Sequence, residues 1–103
     1  MRYIELAKLH QLFDGFSQPI NLGGQQLLLL QEEGQRYLIA NRCPHQGAPL
    51  HRATLLGDRL RCPAHGIEFD LRTGMAVNNP DCGARLVYYP LAYEGNTLGV
   101  YLD

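Results

Sequence analysis

Apolar residues along this chain recur at strand spacing, in short runs separated by glycine-bearing turns. Gln26-Leu27-Leu28-Leu29-Leu30-Gln31 is a continuous apolar run of the kind found in a strand buried on both faces. Glu33-Gly34 supplies a turn, and Arg36-Tyr37-Leu38-Ile39-Ala40 returns. Gly57-Asp58 between Leu56 and Arg59-Leu60-Arg61 is a two-residue hairpin signal. Ile67-Glu68-Phe69-Asp70-Leu71 alternates and places Ile67, Phe69 and Leu71 on one face. Residues 85–89 and 97–102 read as strands flanking a turn at Gly95-Asn96. Helical spacing is confined to Leu6, Leu9 and Phe13, and Gly15 and Pro19 close that stretch within about one turn. Many short strands with glycine turns predict an all-β fold of layered antiparallel sheets.

The 103 residues suit a single domain spanning 1–103, with no repeat, linker or internal boundary. Hydrophobic residues make up 46% and charged residues 18%, a globular balance. Nine basic against ten acidic side chains leave a formal charge of -1, which argues against a nucleic-acid binder. The longest apolar run, Leu27 to Leu30, falls far short of the about 20 residues of a membrane-spanning helix. No secretory leader is evident after Met1, so the expectation is a soluble, cytoplasmic protein without membrane contact. Three cysteines are too few for a disulfide scaffold, and in a reducing compartment they point to metal binding or catalysis.

Two stretches fit no strand, and both are dense in Cys, Pro, His and Gly. The first is Cys43-Pro44-His45-Gln46-Gly47-Ala48-Pro49-Leu50 and the second is Cys62-Pro63-Ala64-His65-Gly66. Each offers one thiolate and one imidazole, a donor set for a soft transition metal or for iron bound with sulfide. A structural Cys2His2 zinc site is the chemical rival, although zinc-finger halves usually pair like with like, whereas each half here is mixed. Gly47 and Gly66 permit positive φ after each ligand pair.

The C-x-H and C-x2-H halves resemble the Rieske [2Fe–2S] proteins, in which two histidines replace two cysteines on one iron. The resemblance extends through Leu71-Arg72-Thr73-Gly74, Pro80 and the Tyr89-Pro90-Leu91 to Glu94-Gly95 segment. It implies a Rieske-like layered β-sandwich with a small cluster-binding lobe made of the two loops. It further implies one [2Fe–2S] cluster, with Cys43 and Cys62 on the inner iron and His45 and His65 on the outer one. Within the family the chain is similar to the small ferredoxins of ring-hydroxylating oxygenase systems. The function implied is a one-electron carrier, not an enzyme, acting as a monomer between a flavoprotein NAD(P)H reductase and a terminal oxygenase. The alternative is the small Rieske subunit of a nitrite-reductase-like complex. A catalytic oxygenase would need a further mononuclear iron site, and only His10 and His51 remain.

The chain departs from its relatives at three positions. Ala48 and Ala64 stand where the respiratory branch has a disulfide, and Ile67 stands near that branch's serine, which donates to a bridging sulfide. Fewer hydrogen bonds to sulfur imply a potential in the lower part of the about −150 to +300 mV span. His10 and His51 are expected at the surface, and Cys82 as a thiol outside the motif. Pro80 is expected on a loop over the cluster. The docking rim is expected at Gln46, Pro49, Leu50, Ala64 and the Pro80 loop. Of the nearby Arg42, Arg52, Arg59, Arg61 and Arg72, the first two and Arg61 are placed to steer an acidic partner.

Overall fold

The computed structural model describes residues 1–45, 47–64, 66–79 and 82–102. They form nine strands: β1 (Arg2–Lys8), β2 (Ser17–Leu22), β3 (Gln25–Glu32), β4 (Gln35–Ala40), β5 (Thr54–Leu56), β6 (Arg59–Arg61), β7 (Glu68–Asp70), β8 (Ala92–Glu94) and β9 (Thr97–Leu102). Two single 3-10 turns, Leu9–Gln11 and Leu50–Arg52, are the helical content. The strands make three antiparallel three-stranded sheets, ordered β1-β9-β8, β2-β3-β4 and β5-β6-β7.

The leucine run in β3 explains the layering. Leu28 and Leu30 pack with Ile39 of β4 toward Leu60 and Phe69 of the β5-β6-β7 sheet. Leu27 and Leu29 pack with Leu38 toward Ala7, Leu98 and Val100 of the β1-β9-β8 sheet. The β2-β3-β4 sheet is therefore the middle layer, and its strands are apolar on both faces because both faces are covered. All four leucines are at most 2% exposed. Each such burial is worth roughly 1.5–3 kcal/mol.

The turns read from sequence are present. Glu33 (φ 51°) and Gly34 (φ 76°) join β3 to β4 with both central residues left-handed, the hairpin turn that matches strand twist. Asp14 fastens this turn, accepting the Gly34 N–H at 2.9 Å and Gln31 Nε2 at 3.1 Å. These two bonds, the backbone one foremost, hold the Asp14 carboxyl below its ordinary range. Gly57 and Asp58 connect β5 and β6, and Ile67, Phe69 and Leu71 all point into the core.

Three elements differ from expectation. Residues 2–8 form a strand, with only Leu9–Gln11 helical, because β1 pairs with β9 at the far end of the chain. That non-local pairing outweighs the local helical spacing of Leu6, Leu9 and Phe13. Residues 17–22 are also a strand despite Pro19. β2 is an edge strand, where a residue without an N–H is tolerated.

Residues 85–89 are not a strand of the Gly95-Asn96 hairpin, whose first arm is β8. They form a strap that changes partners midway. Arg85 bridges Met75 and the Leu86 N–H donates to Gly74. The Val87 carbonyl then accepts the Ala40 N–H, and the Tyr89 N–H donates to Leu38. The strap thus joins the outer β5-β6-β7 sheet to the middle layer. No helix among the described residues is long and apolar enough to cross a membrane.

Candidate metal centre

The first loop leaves the end of β4 and the second leaves the end of β6. Both close with the same pair of backbone hydrogen bonds. In the first, the Gly47 N–H donates to the Cys43 carbonyl at 2.6 Å and the Cys43 N–H to the Ala48 carbonyl at 2.6 Å. In the second, the Gly66 N–H donates to the Cys62 carbonyl at 2.9 Å and the Cys62 N–H to the Ile67 carbonyl at 2.8 Å. Each loop is thus a six-residue ring with Cys first, Pro second and a left-handed Gly fifth (φ 79° and 68°). The histidine is third in one ring and fourth in the other, which accounts for C-x-H against C-x2-H.

Cys43 and Cys62 are 1% and 0% exposed, and they belong to one apolar cluster with Leu50, Leu60, Ile67 and Phe69. No disulfide joins them. His45 lies at the surface. His65 lies outside the described residues, as do Gln46 and Pro80. The structure therefore brings together the two thiols, with one imidazole on the outer side of the first ring. A buried thiolate requires a cation beside it, since an unpaired charge in apolar surroundings is costly. Two buried sulfur donors with an imidazole toward solvent are a donor set that could hold an iron–sulfur group.

The surroundings sharpen the picture. A cleft of about 330 Å³ beside the first ring is lined by Arg42, Pro44, His45 and Val87. Val87 is half exposed, and its place beside His45 depends on the strap, so sequence spacing does not show it. Leu50 is 1% exposed and packs beneath the loops. It therefore does not belong to a docking rim: its 3-10 turn directs the side chain inward, where the cysteines need an apolar floor. Pro49 and Ala64 are at the surface as expected.

Arg59 pairs with Glu68 across β6 and β7 at 3.5 Å, and Arg72 after β7 pairs with Asp58 of the β5–β6 turn at 2.9 Å, so both cations are answered locally. Arg42, Arg52 and Arg61 are exposed, and the Arg61 guanidinium lies against Gly66. His51 is exposed and hydrogen-bonded to Asn41, and His10 is exposed on the first 3-10 turn. Cys82 is half-buried. Two polar residues here, Asn41 and Asn78, belong to no motif of the sequence. Each hydrogen-bonds the backbone where one ligand loop ends.

Residues 2–92 match the family model of the Rieske [2Fe-2S] domain. The chain belongs to that family, and its cofactor is one [2Fe–2S] cluster. It is 31% identical over 103 residues to the ferredoxin component of a naphthalene 1,2-dioxygenase system from Pseudomonas putida, covering 100% of this chain and 96% of that protein. It is 37% identical over 73 residues to apoptosis-inducing factor 3 of Homo sapiens, covering 69% of this chain. The match spans only 12% of the length of that larger protein. Among solved structures, the ferredoxin of carbazole 1,9a-dioxygenase from Nocardioides aromaticivorans IC177 superimposes with a TM-score of 0.82 at 24% identity, over 100% of both chains. The layered antiparallel fold is thus that of a Rieske ferredoxin.

Proposed function

We propose that residues 1–103 act as a single domain that carries one electron at a time from a flavoprotein NAD(P)H reductase to a terminal oxygenase. Cys43 and Cys62 would hold one iron through their buried sulfurs, and His45 and His65 would hold the other. The observation that carries this reading is the pair of matching six-residue rings, each with its cysteine in the core. A likeness to an oxygenase-system ferredoxin along nearly its whole length supports it. When bound, the cluster supplies a reversible one-electron couple.

The protein's own residues do the rest. The apolar floor of Leu50, Ile67 and Phe69 keeps water from the sulfur side. Pro44 and Pro63 stiffen the rings, so little reordering accompanies a change of charge. His45 at the surface brings the imidazole-held side to where a partner can approach. Pro44 and Val87 give the cleft beside it apolar walls, Ala64 is exposed on the second ring, and Arg42, Arg52 and Arg61 attract an acidic partner. A small rim suits a transient complex made by a monomer.

Replacement of Cys43, His45, Cys62 or His65 by Ala tests the assignment. Each variant should lose the iron, the acid-labile sulfide and the visible absorbance of the wild-type protein. Retention of a wild-type spectrum by any one of the four would remove that residue from the ligand set.

A further inference from the structure

Each ligand loop is fastened at its exit by one carboxamide from outside the loop. Asn41 Oδ1 accepts the His51 N–H at 2.8 Å, and its Nδ2 lies 3.0 Å from His51 Nδ1. Asn78 Oδ1 accepts the Glu68 N–H at 2.8 Å, and its Nδ2 donates to the Gly66 carbonyl at 2.9 Å. Both amide orientations are fixed by chemistry. A backbone N–H can only donate, so each Oδ1 must face it and each Nδ2 is left as a donor. Asn41 therefore meets a ring nitrogen acting as acceptor, while Asn78 meets a carbonyl.

Both asparagines are themselves anchored. Asn41 is 9% exposed and its N–H donates to the Gln26 carbonyl of the middle sheet. Asn78 follows Val77, whose N–H donates to the Glu68 carbonyl, so its side chain continues that pairing by one rung. The clamps tie the chain leaving the first loop, at His51, to the middle sheet, and the second ring, at Gly66, to the segment after Gly74.

We propose that Asn41 and Asn78 are positioning residues that hold the two ligand loops at the separation the cluster requires, so that neither loop opens to release a ligand. This rests on the reading of Cys43, His45, Cys62 and His65 as ligands. The test is the rate of iron release from the loaded protein to a chelator, read with the line width of the reduced protein's electron paramagnetic resonance signal. Asn41→Ala and Asn78→Ala each remove two hydrogen bonds and should speed release about tenfold and broaden the signal.

Aspartate substitutions separate the clamps from mere space-filling. In Asn41→Asp the carboxylate still accepts the His51 N–H, and its second oxygen can accept from a protonated Nδ1. Release should return to within about twofold of wild type. In Asn78→Asp the second oxygen faces the Gly66 carbonyl, an acceptor opposite an acceptor. This variant should release iron as fast as Asn78→Ala.

A packing role would make the two isosteric variants behave alike. Asn78 is exposed, so its variants decide the question if Asn41→Ala does not fold. Wild-type release by Asn78→Ala, or rescue by Asn78→Asp, would overturn the proposal. A wild-type protein without iron and sulfide would instead overturn the ligand assignment beneath it.

Discussion

Leu50 and Leu29 offer a matched pair of core deletions on opposite sides of the middle sheet. Both are 1% exposed. Leu50 packs with Cys43, Cys62, Ile67 and Phe69, whereas Leu29 packs with Ala7, Leu98 and Val100. Leu→Ala at such sites removes the same atoms and leaves a comparable void, a loss of about 3–5 kcal/mol. For a domain of this size that lowers the melting temperature by at least about 10 °C. Thermal midpoints followed by circular dichroism at one scan rate should fall similarly for both variants.

Iron release at a temperature well below both midpoints should separate them. Leu50→Ala removes the floor beneath the two sulfurs and should speed release about tenfold or more, while Leu29→Ala should stay near wild type. Equal acceleration by both would mean that the two cores act as one unit. A loss below about 1 kcal/mol for Leu50→Ala would mean that the floor is not packed as described.

Other consequences follow from particular contacts. Gly99→Ala would overlap the Ile4 carbonyl oxygen beneath the Tyr3 ring, so it should destabilise far more than Gly47→Ala, whose φ of 79° faces open space. Denaturation midpoints of the two variants check this, with about 1 kcal/mol expected for Gly47→Ala. Burial pushes the Tyr88 phenol up to about 12, with Tyr37 and Asp70 adding to the shift. The unfolded chain therefore loses this proton first as pH rises. Stability should be unaffected by Tyr88 below pH 10 and fall between there and about 12, and the fall should shrink in Tyr88→Phe. Ala48 and Ala64 form no disulfide and Ile67 is a buried hydrocarbon, so the potential should lie in the lower part of the about −150 to +300 mV span. A potentiometric titration placing it near the upper end would contradict that.

Local chemistry made much of this architecture legible. The unbroken leucine run announces a strand covered on both faces, and Glu33-Gly34 and Gly57-Asp58 announce their hairpins. The two six-residue rings were legible as loops because cysteine, proline and glycine are all encoded within six residues. What was hidden depends on distant partners. β1 is a strand because β9 lies beside it, and β2 keeps Pro19 because no strand among the described residues pairs on its outer edge. The 85–89 strap divides its hydrogen bonds between two sheets, so its apolar pattern suggests a longer strand than it forms. Leu50 lies in the core and not on the rim, and the sequence hides this because an apolar residue at a loop's end reads the same whether it turns inward or outward. Asn41 and Asn78 look like ordinary turn residues until their partners, ten or more positions away, are in place.

The central claim is that two sulfur and two imidazole ligands share one cluster in this domain. Pulsed electron paramagnetic resonance of the reduced protein tests it most directly, because it reads the nitrogen nuclei bound to iron. The spectrum should show two distinct nitrogen couplings, with one lost or altered in any variant of His45 or His65 that still holds iron. A reduced iron–sulfur signal without nitrogen coupling would contradict it, as would stoichiometric zinc in place of iron and sulfide.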